Sequence, residues 1–382
     1  MQFSYYSHHL QYVDPRAYNV ISKDGTNSSF RASSFDPWNP TNTSGVFFQV
    51  FDNDFYNVIG ENPWIHEISS DPTFAFAHEA PVWVPDTDEV FIASNAGGPL
   101  GRSGPDANNQ IERISLKDVD EAMGGTPKDV NVSHPKVDLP DFVQMANGGT
   151  GPYKGNIIFM NEGRGDLPSN MVLVNPYPPY NASILLDNFY GREFNALNDA
   201  KVHSSGVIFF TDPAYAYLQH FKAEPGLPNQ VYAFDPSTGH VRVVADQLNK
   251  PNGLAFSSDF KTLYIVDSGL LGADWGNNAT LPATIYAYDV TDDLFLVNRR
   301  VFAYSDEGSP DGVNVDVNGY VYGGCGDGIH VWSPKGILVG KFFTGSNTAN
   351  FAFAGPGRLV ILAETKVYLA SIAAEGVSVI HE

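Results

Sequence analysis

The stretch Pro310-Asp311-Gly312-Val313-Asn314-Val315-Asp316-Val317-Asn318-Gly319-Tyr320-Val321-Tyr322 decides the fold. A polar residue among small ones opens it, and an apolar alternation follows. Asn318-Gly319 then turns the chain, and Tyr320-Val321-Tyr322 starts a second β-rich run, so the segment reads as a hairpin. A third run follows at Gly328-Ile329-His330-Val331-Trp332, ended by the turn Ser333-Pro334-Lys335-Gly336.

The same unit recurs from residue 78 onward. Its turn and second run are Asp88–Ile92, Lys154–Phe159, Ser205–Phe210, Lys261–Ile265, Asn318–Tyr322 and Gly357–Ile361. Third runs follow at Gln110–Ile114, Met171–Val174, Gln230–Phe234, Thr284–Tyr288, Gly328–Trp332 and Lys366–Leu369, and a fourth, more polar run often comes next, as at His240–Val244. Six copies of a four-stranded unit predict an all-β, six-bladed β-propeller, in which each sheet is buried against the next. Residues 1–60, rich in Ser, Asn, Asp and Pro, are expected to wrap the propeller as an N-terminal extension with a strand near Val46–Val50, and 61–382 to form one catalytic domain. One short helix is expected at Leu116–Met123.

The unit openers are Glu79, Asn147, Asn198, Asn252, Asp311 and Asn350. The step from opener to turn glycine is eight residues at 147–155, 198–206 and 311–319. Equal steps set these side chains at equal heights on the strands that line a propeller's central channel. Carboxylates and amides converging there call for a cation or a proton. Oxygen donors without a cysteine set suit Ca²⁺ best; Mg²⁺ and Mn²⁺ are the alternatives, and Zn²⁺ is disfavoured. The competing reading of Pro251-Asn252-Gly253 and Pro310-Asp311-Gly312 is that they are simple turns.

Composition narrows the partners. The chain has 382 residues, 43 acidic against 22 basic, for a formal charge of −21. Such a surface repels phosphate backbones and anionic lipid, so neither nucleic acid nor a membrane is expected. No apolar run is long enough to span a bilayer. The single cysteine, Cys325, excludes an intrachain disulfide. Sequons at Asn27, Asn42, Asn131, Asn181 and Asn278 point to a secreted glycoprotein, although Met1–Leu10 lacks the apolar segment of a signal peptide. No Gly-x-Ser-x-Gly elbow is present, which argues against a serine esterase.

The set Glu79-Ala80-Pro81-Val82-Trp83, Asn198-Asp199, Pro251-Asn252-Gly253-Leu254 and Pro310-Asp311-Gly312-Val313 resembles the senescence-marker-protein/gluconolactonase/luciferin-regenerating-enzyme family. Together with Tyr153–Phe159, Gly191–Asn195 and Gly323–Gly328, it is most similar to the fungal lactonohydrolases, which open aldonolactones and pantolactone. The resemblance covers about residues 45 to 370. It implies one catalytic divalent cation on the axis, usually calcium, with Glu79, Asn252 and Asp311 as direct ligands and Asn198 as a ligand or a substrate-facing neighbour. His78 stands where the animal gluconolactonases have Gly, and Ala196 where they have Arg, so their sugar contacts do not transfer.

Hydrolysis of a small-molecule lactone needs a polarised carbonyl, a water and a proton acceptor. Asp311 is the first choice as base, with Asp199 and His78 as alternatives. Asn147, Tyr153, Tyr215 and His330 are candidate substrate contacts, and Trp275 a channel-mouth aromatic. The rival functions on the same architecture are a calcium-dependent arylesterase or organophosphate hydrolase of paraoxonase type, and a binding propeller with a structural ion.

Overall fold

The computed structural model describes residues 10–12, 14–17 and 45–381. Its strands form six sheets around a common axis. Blade 1 runs Glu79–Val84, Glu89–Ala93, Ile111–Ser115 and Lys136–Val137, from the axis outward. Blade 2 begins at Ala146–Tyr153, blade 3 at Ala200–Val202, blade 4 at Pro251–Phe256, blade 5 at Val313–Val315 and blade 6 at Phe351–Phe353.

The strongly apolar second strands follow from this stacking. Ile208 and Phe210 pack toward blade 2, whereas Phe209 between them packs toward blade 4. Both faces of the strand are buried, so consecutive residues are apolar. Each of these side chains contributes about 1.5–3 kcal/mol on burial. Blade 1 closes on blade 6 in the same way, Val90, Ile92 and Ile114 meeting Val360, Leu362 and Val367.

Blade 6 takes its fourth strand from far upstream. Trp64–Ser70 pairs antiparallel with Lys366–Ser371 and locks the ring. Phe47–Val50 adds to the outer strand of blade 5, Leu338–Phe343, and Leu10–Tyr12 pairs parallel to it. The helix Leu116–Met123 forms where the sequence places it, with the Ser115 hydroxyl accepting from Asp118 N at 3.1 Å as its N-cap. Of the sequon asparagines, Asn131, Asn181 and Asn278 are exposed; Asn27 and Asn42 lie outside the described residues.

The opener motifs are not turns. Glu79, Asn147 and Asn252 lie at the start of inner strands, and Asn198, Asp311 and Asn350 just before theirs. At Glu79, Asn147 and Asn252 the inner strand carries one extra residue against its partner, as between Pro251↔Asp267 and Leu254↔Ile265. Such a bulge re-aims a side chain, here toward the channel. The glycine after the opener serves another purpose. A Cβ on Gly253 would lie 2.4 Å from Asp311 O, one on Gly148 2.3 Å from Asn198 O, and one on Gly312 2.4 Å from Asn350 Oδ1. The backbones approach this closely because they bond each other across blades. Gly148 N donates to Asn198 O (2.6 Å), Gly253 N to Asp311 O (3.1 Å) and Gly312 N to Ala349 O (2.8 Å). The Thr211 hydroxyl donates to Asn252 O (2.9 Å). A belt of interblade hydrogen bonds thus holds the openers at one level around the axis.

Candidate metal centre and active site

Two carboxylates and a histidine meet on the axis. One ligand-type atom each of His78, Glu79 and Asp311 lies within 4.8 Å of the others. Glu79 Oε2 accepts from Asn350 Nδ2 at 2.7 Å, a bond from blade 6 to blade 1. Asn252 lies close enough to the Asp311 carboxyl to lower it, and its Nδ2 faces Ser268 Oγ (3.2 Å) and Tyr215 Oη (3.4 Å). Asn198 Oδ1 is buried and without a hydrogen-bond partner among the described residues. Burial, with Asp311 close by, pushes the Glu79 carboxyl up; burial raises Asp311 as well, although His78 opposes it. Carboxyls raised in this way are at odds with being charged, and a divalent cation among them removes that conflict.

A second network holds the imidazole. The Ala77–His78 backbone pairs with Glu364 at the end of a blade 6 strand, Ala77 N to Glu364 O (2.9 Å) and Glu364 N to Ala77 O (2.8 Å). This places His78 Nδ1 2.7 Å from Glu364 Oε1. Asn95 Nδ2 and Asn347 Nδ2 hold the same carboxylate at 3.0 Å each. Burial alone lowers the imidazole, but Glu364, with Glu79 and Asp311 behind it, outweighs burial and pushes it up to about 10. Burial raises Glu364 too, yet His78 and the two asparagine amides bring it down to about 2.

A third carboxylate, Glu162, is fully buried. Its Oε1 accepts from Asn147 Nδ2 at 2.7 Å, while Glu162 Oε2 and Asn147 Oδ1 have no hydrogen-bond partner among the described residues. Burial pushes Glu162 up to about 8, and both His78 and Asp311 are near enough to influence it.

The candidate residues therefore divide. Glu79, Asp311, His78, Asn252 and Tyr215 come together, and Asn147 joins them through Glu162. Asp199 lies on the belt, its Oδ1 taken by Ala200 N (2.8 Å) and its Oδ2 3.6 Å from Lys201 Nζ. Tyr153 is not at the site. It ends the long inner strand of blade 2, toward the opposite mouth, where it pairs with His381. His330 is not there either. Itself buried, it points into an ion network of blade 5, 2.6 Å from Asp327, with Lys341 bonded to Asp327 and to the exposed Asp306. Trp275 is exposed and stacks against Tyr217.

Glu162 and Glu364 are the residues sequence reasoning missed. Each follows directly on an apolar second strand, Asn156–Asn161 or Arg358–Ala363. Asp212 and Asp267 close their strands in the same manner. Asp212 accepts from Asn195 N and Ala196 N, and Asp267 from Asn249 N and Lys250 N, so these two fix the loops that carry Asn198 and Asn252.

The profile of the SMP-30/Gluconolactonase/LRE-like region matches residues 79–364, from the first axial carboxylate to the partner of His78. The chain belongs to that family. It is 29% identical over 318 residues to the Aspergillus oryzae lactonohydrolase OryL, covering 79% of this chain and 68% of that one. A Xanthomonas campestris gluconolactonase has the same fold, with a TM-score of 0.65 at 22% identity over 87% of this chain and 96% of that one. A regucalcin from Agrobacterium tumefaciens, described as a calcium-binding protein, superposes with a TM-score of 0.57 at 16% identity, covering 81% and 96%.

Proposed function

We propose that this family member is a lactone hydrolase working with a hard divalent cation, calcium by preference, and that it opens aldonolactone- or pantolactone-type rings. The observation that carries the reading is the meeting of Glu79, Asp311 and His78 within 4.8 Å on the propeller axis. The names of the relatives favour the same chemistry.

Glu79 and Asp311 would hold the cation, with the unpartnered Asn198 Oδ1 and the Asn252 amide as neutral donors. The chemistry such an ion would supply is polarisation of the lactone carbonyl and stabilisation of the charge developing on its oxygen. His78 would be the proton acceptor once a cation beside Glu79 and Asp311 opposes the carboxylate charges that hold its proton in the metal-free protein. Glu364 holds its Nδ1, so Nε2 is the nitrogen left for water, and a carboxylate behind an imidazole fixes its orientation. Asp311 is less suited to that task, since a carboxylate bound to a cation is a weak base. Glu162 Oε2 and Asn147 Oδ1, both buried and unpartnered, are poised to take ring hydroxyls of the substrate. Tyr215, buried beside Asn252, closes that wall. The exposed sequons at Asn131, Asn181 and Asn278 support a secreted glycoprotein.

The test is a panel of gluconolactone, pantolactone and an aryl ester, assayed on chelator-stripped protein and after refilling with Ca²⁺, Mg²⁺ or Mn²⁺. Lactone turnover that disappears on stripping and returns best with Ca²⁺ supports the reading. Preference for the aryl ester favours the arylesterase alternative, and folded, metal-loaded protein inert toward every ester favours a binding propeller.

A further inference from the structure

A chamber of about 200 Å³ lies on the axis on the far side of the interblade belt from the metal centre. Its walls are the inner strands some three residues past their openers, about 10 Å further along at the rise of a strand. Its floor is the C-terminal segment 375–380. That segment crosses the propeller from blade 5, where Val377 N donates to Val315 O (2.8 Å), to blade 2, where His381 N donates to Pro152 O (2.8 Å).

The lining is mainly apolar, with Val82, Trp83, Phe351, Val377 and Ile380 contributing to it. Of the polar side chains that interrupt it, Asn314, Asn350 and Ser378 are already hydrogen-bonded, and two others, Thr150 and Lys201, face it with bonding capacity to spare. The Thr150 hydroxyl is buried and has no hydrogen-bond partner among the described residues. Lys201 is 9% exposed, and its ammonium has three donors but, among the described residues, only Asp199 Oδ2 as an ion-pair partner, at 3.6 Å. A buried ammonium this loosely paired leaves donors that want an acceptor. The acid at the rim, Glu375, is exposed to water. A small apolar cavity with a few placed polar groups is the usual form of a ligand site.

We propose that this chamber is a second ligand site, separate from the metal centre, and that it takes a medium-chain monocarboxylate whose head group meets Lys201 and Thr150 while its alkyl chain lies along Val82, Phe351 and Val377. The site does not depend on the lactonase reading, because the belt separates the two and binding alone reveals it.

The experiment is calorimetric titration of the full chain, loaded with Ca²⁺, with octanoate and with octanol. Octanoate binds saturably at one site, and octanol binds at least about tenfold more weakly, as the loss of a charge-assisted hydrogen bond requires. Lys201→Met weakens octanoate by a similar factor. Val377→Trp and Ile380→Trp, which fill the chamber from its floor, abolish octanoate binding and leave lactone turnover unchanged. Absence of saturable octanoate binding, equal affinity for octanol, or binding untouched by both tryptophan variants overturns the proposal.

Discussion

Gly253→Ala tests how the belt positions the metal centre. The new Cβ would meet three backbone atoms of blade 5, Asp311 O at 2.4 Å, Val313 N at 2.8 Å and Gly312 Cα at 2.9 Å. None belongs to a flexible side chain. Restoring ordinary contact with Asp311 O requires blade 5 to withdraw by about 1 Å, which also stretches the 3.1 Å bond from Gly253 N. Overpacking of this kind costs about 1–3 kcal/mol of stability. The larger effect is on function, since Asp311 moves with its backbone and a shift of about 1 Å in a reacting constellation costs about a hundredfold. The assays are Ca²⁺ affinity by calorimetry and kcat/KM on the best lactone. Gly226→Ala is the control, because nothing lies within 4 Å of its added Cβ. Both quantities fall in Gly253→Ala and neither in the control. If Gly253→Ala binds Ca²⁺ and turns over substrate like the parent, the belt does not set the position of Asp311 and the argument fails.

Glu364→Gln keeps the shape of the carboxylate but removes the charge facing His78 Nδ1; kcat falls about 10–100-fold with little change in KM, and the acidic limb of the kcat–pH profile shifts, which a merely structural role would not produce. The metal-free protein loses stability as pH rises. Glu162 (to about 8), Asp212 (to about 7) and Glu307 (to about 7) are raised, chiefly by burial, above ordinary carboxyl values near 4. A raised group stabilises the fold fully below its unfolded value and loses that contribution as pH climbs through the folded one, so the melting temperature of metal-free protein drops between about pH 5 and pH 8. A melting temperature flat or rising over that window contradicts these shifts.

Much of the propeller is legible locally. Each unit carries its own hairpin turn and its own apolar second strand, so the repeat declares itself without knowledge of distant contacts. The strand that closes the ring is different. Trp64–Ser70 pairs with residues some three hundred positions later, and nothing in its own sequence names that partner. The axial set is legible for a related reason: polar openers recur unit by unit, and the family resemblance singles out Glu79, Asn252 and Asp311 among them. His330 shows the limit of phase. Its strand is recognisable, but which neighbours surround it depends on Asp306, Asp327 and Lys341, which come from other strands and loops. Tyr153 belongs to an inner strand, yet its distance past the opener puts it at the far end of the channel. Glu162 and Glu364 escaped notice because an acid after an apolar strand looks like a solvent-facing boundary; burial makes them part of the site.

The most direct measurement is an anomalous difference map from a crystal soaked in Ca²⁺ or Mn²⁺. The account predicts one strong peak on the axis, touching the carboxylates of both Glu79 and Asp311 and lost in Asp311→Ala. Well-diffracting crystals with no axial peak, or with the ion bound only at the periphery, would contradict it.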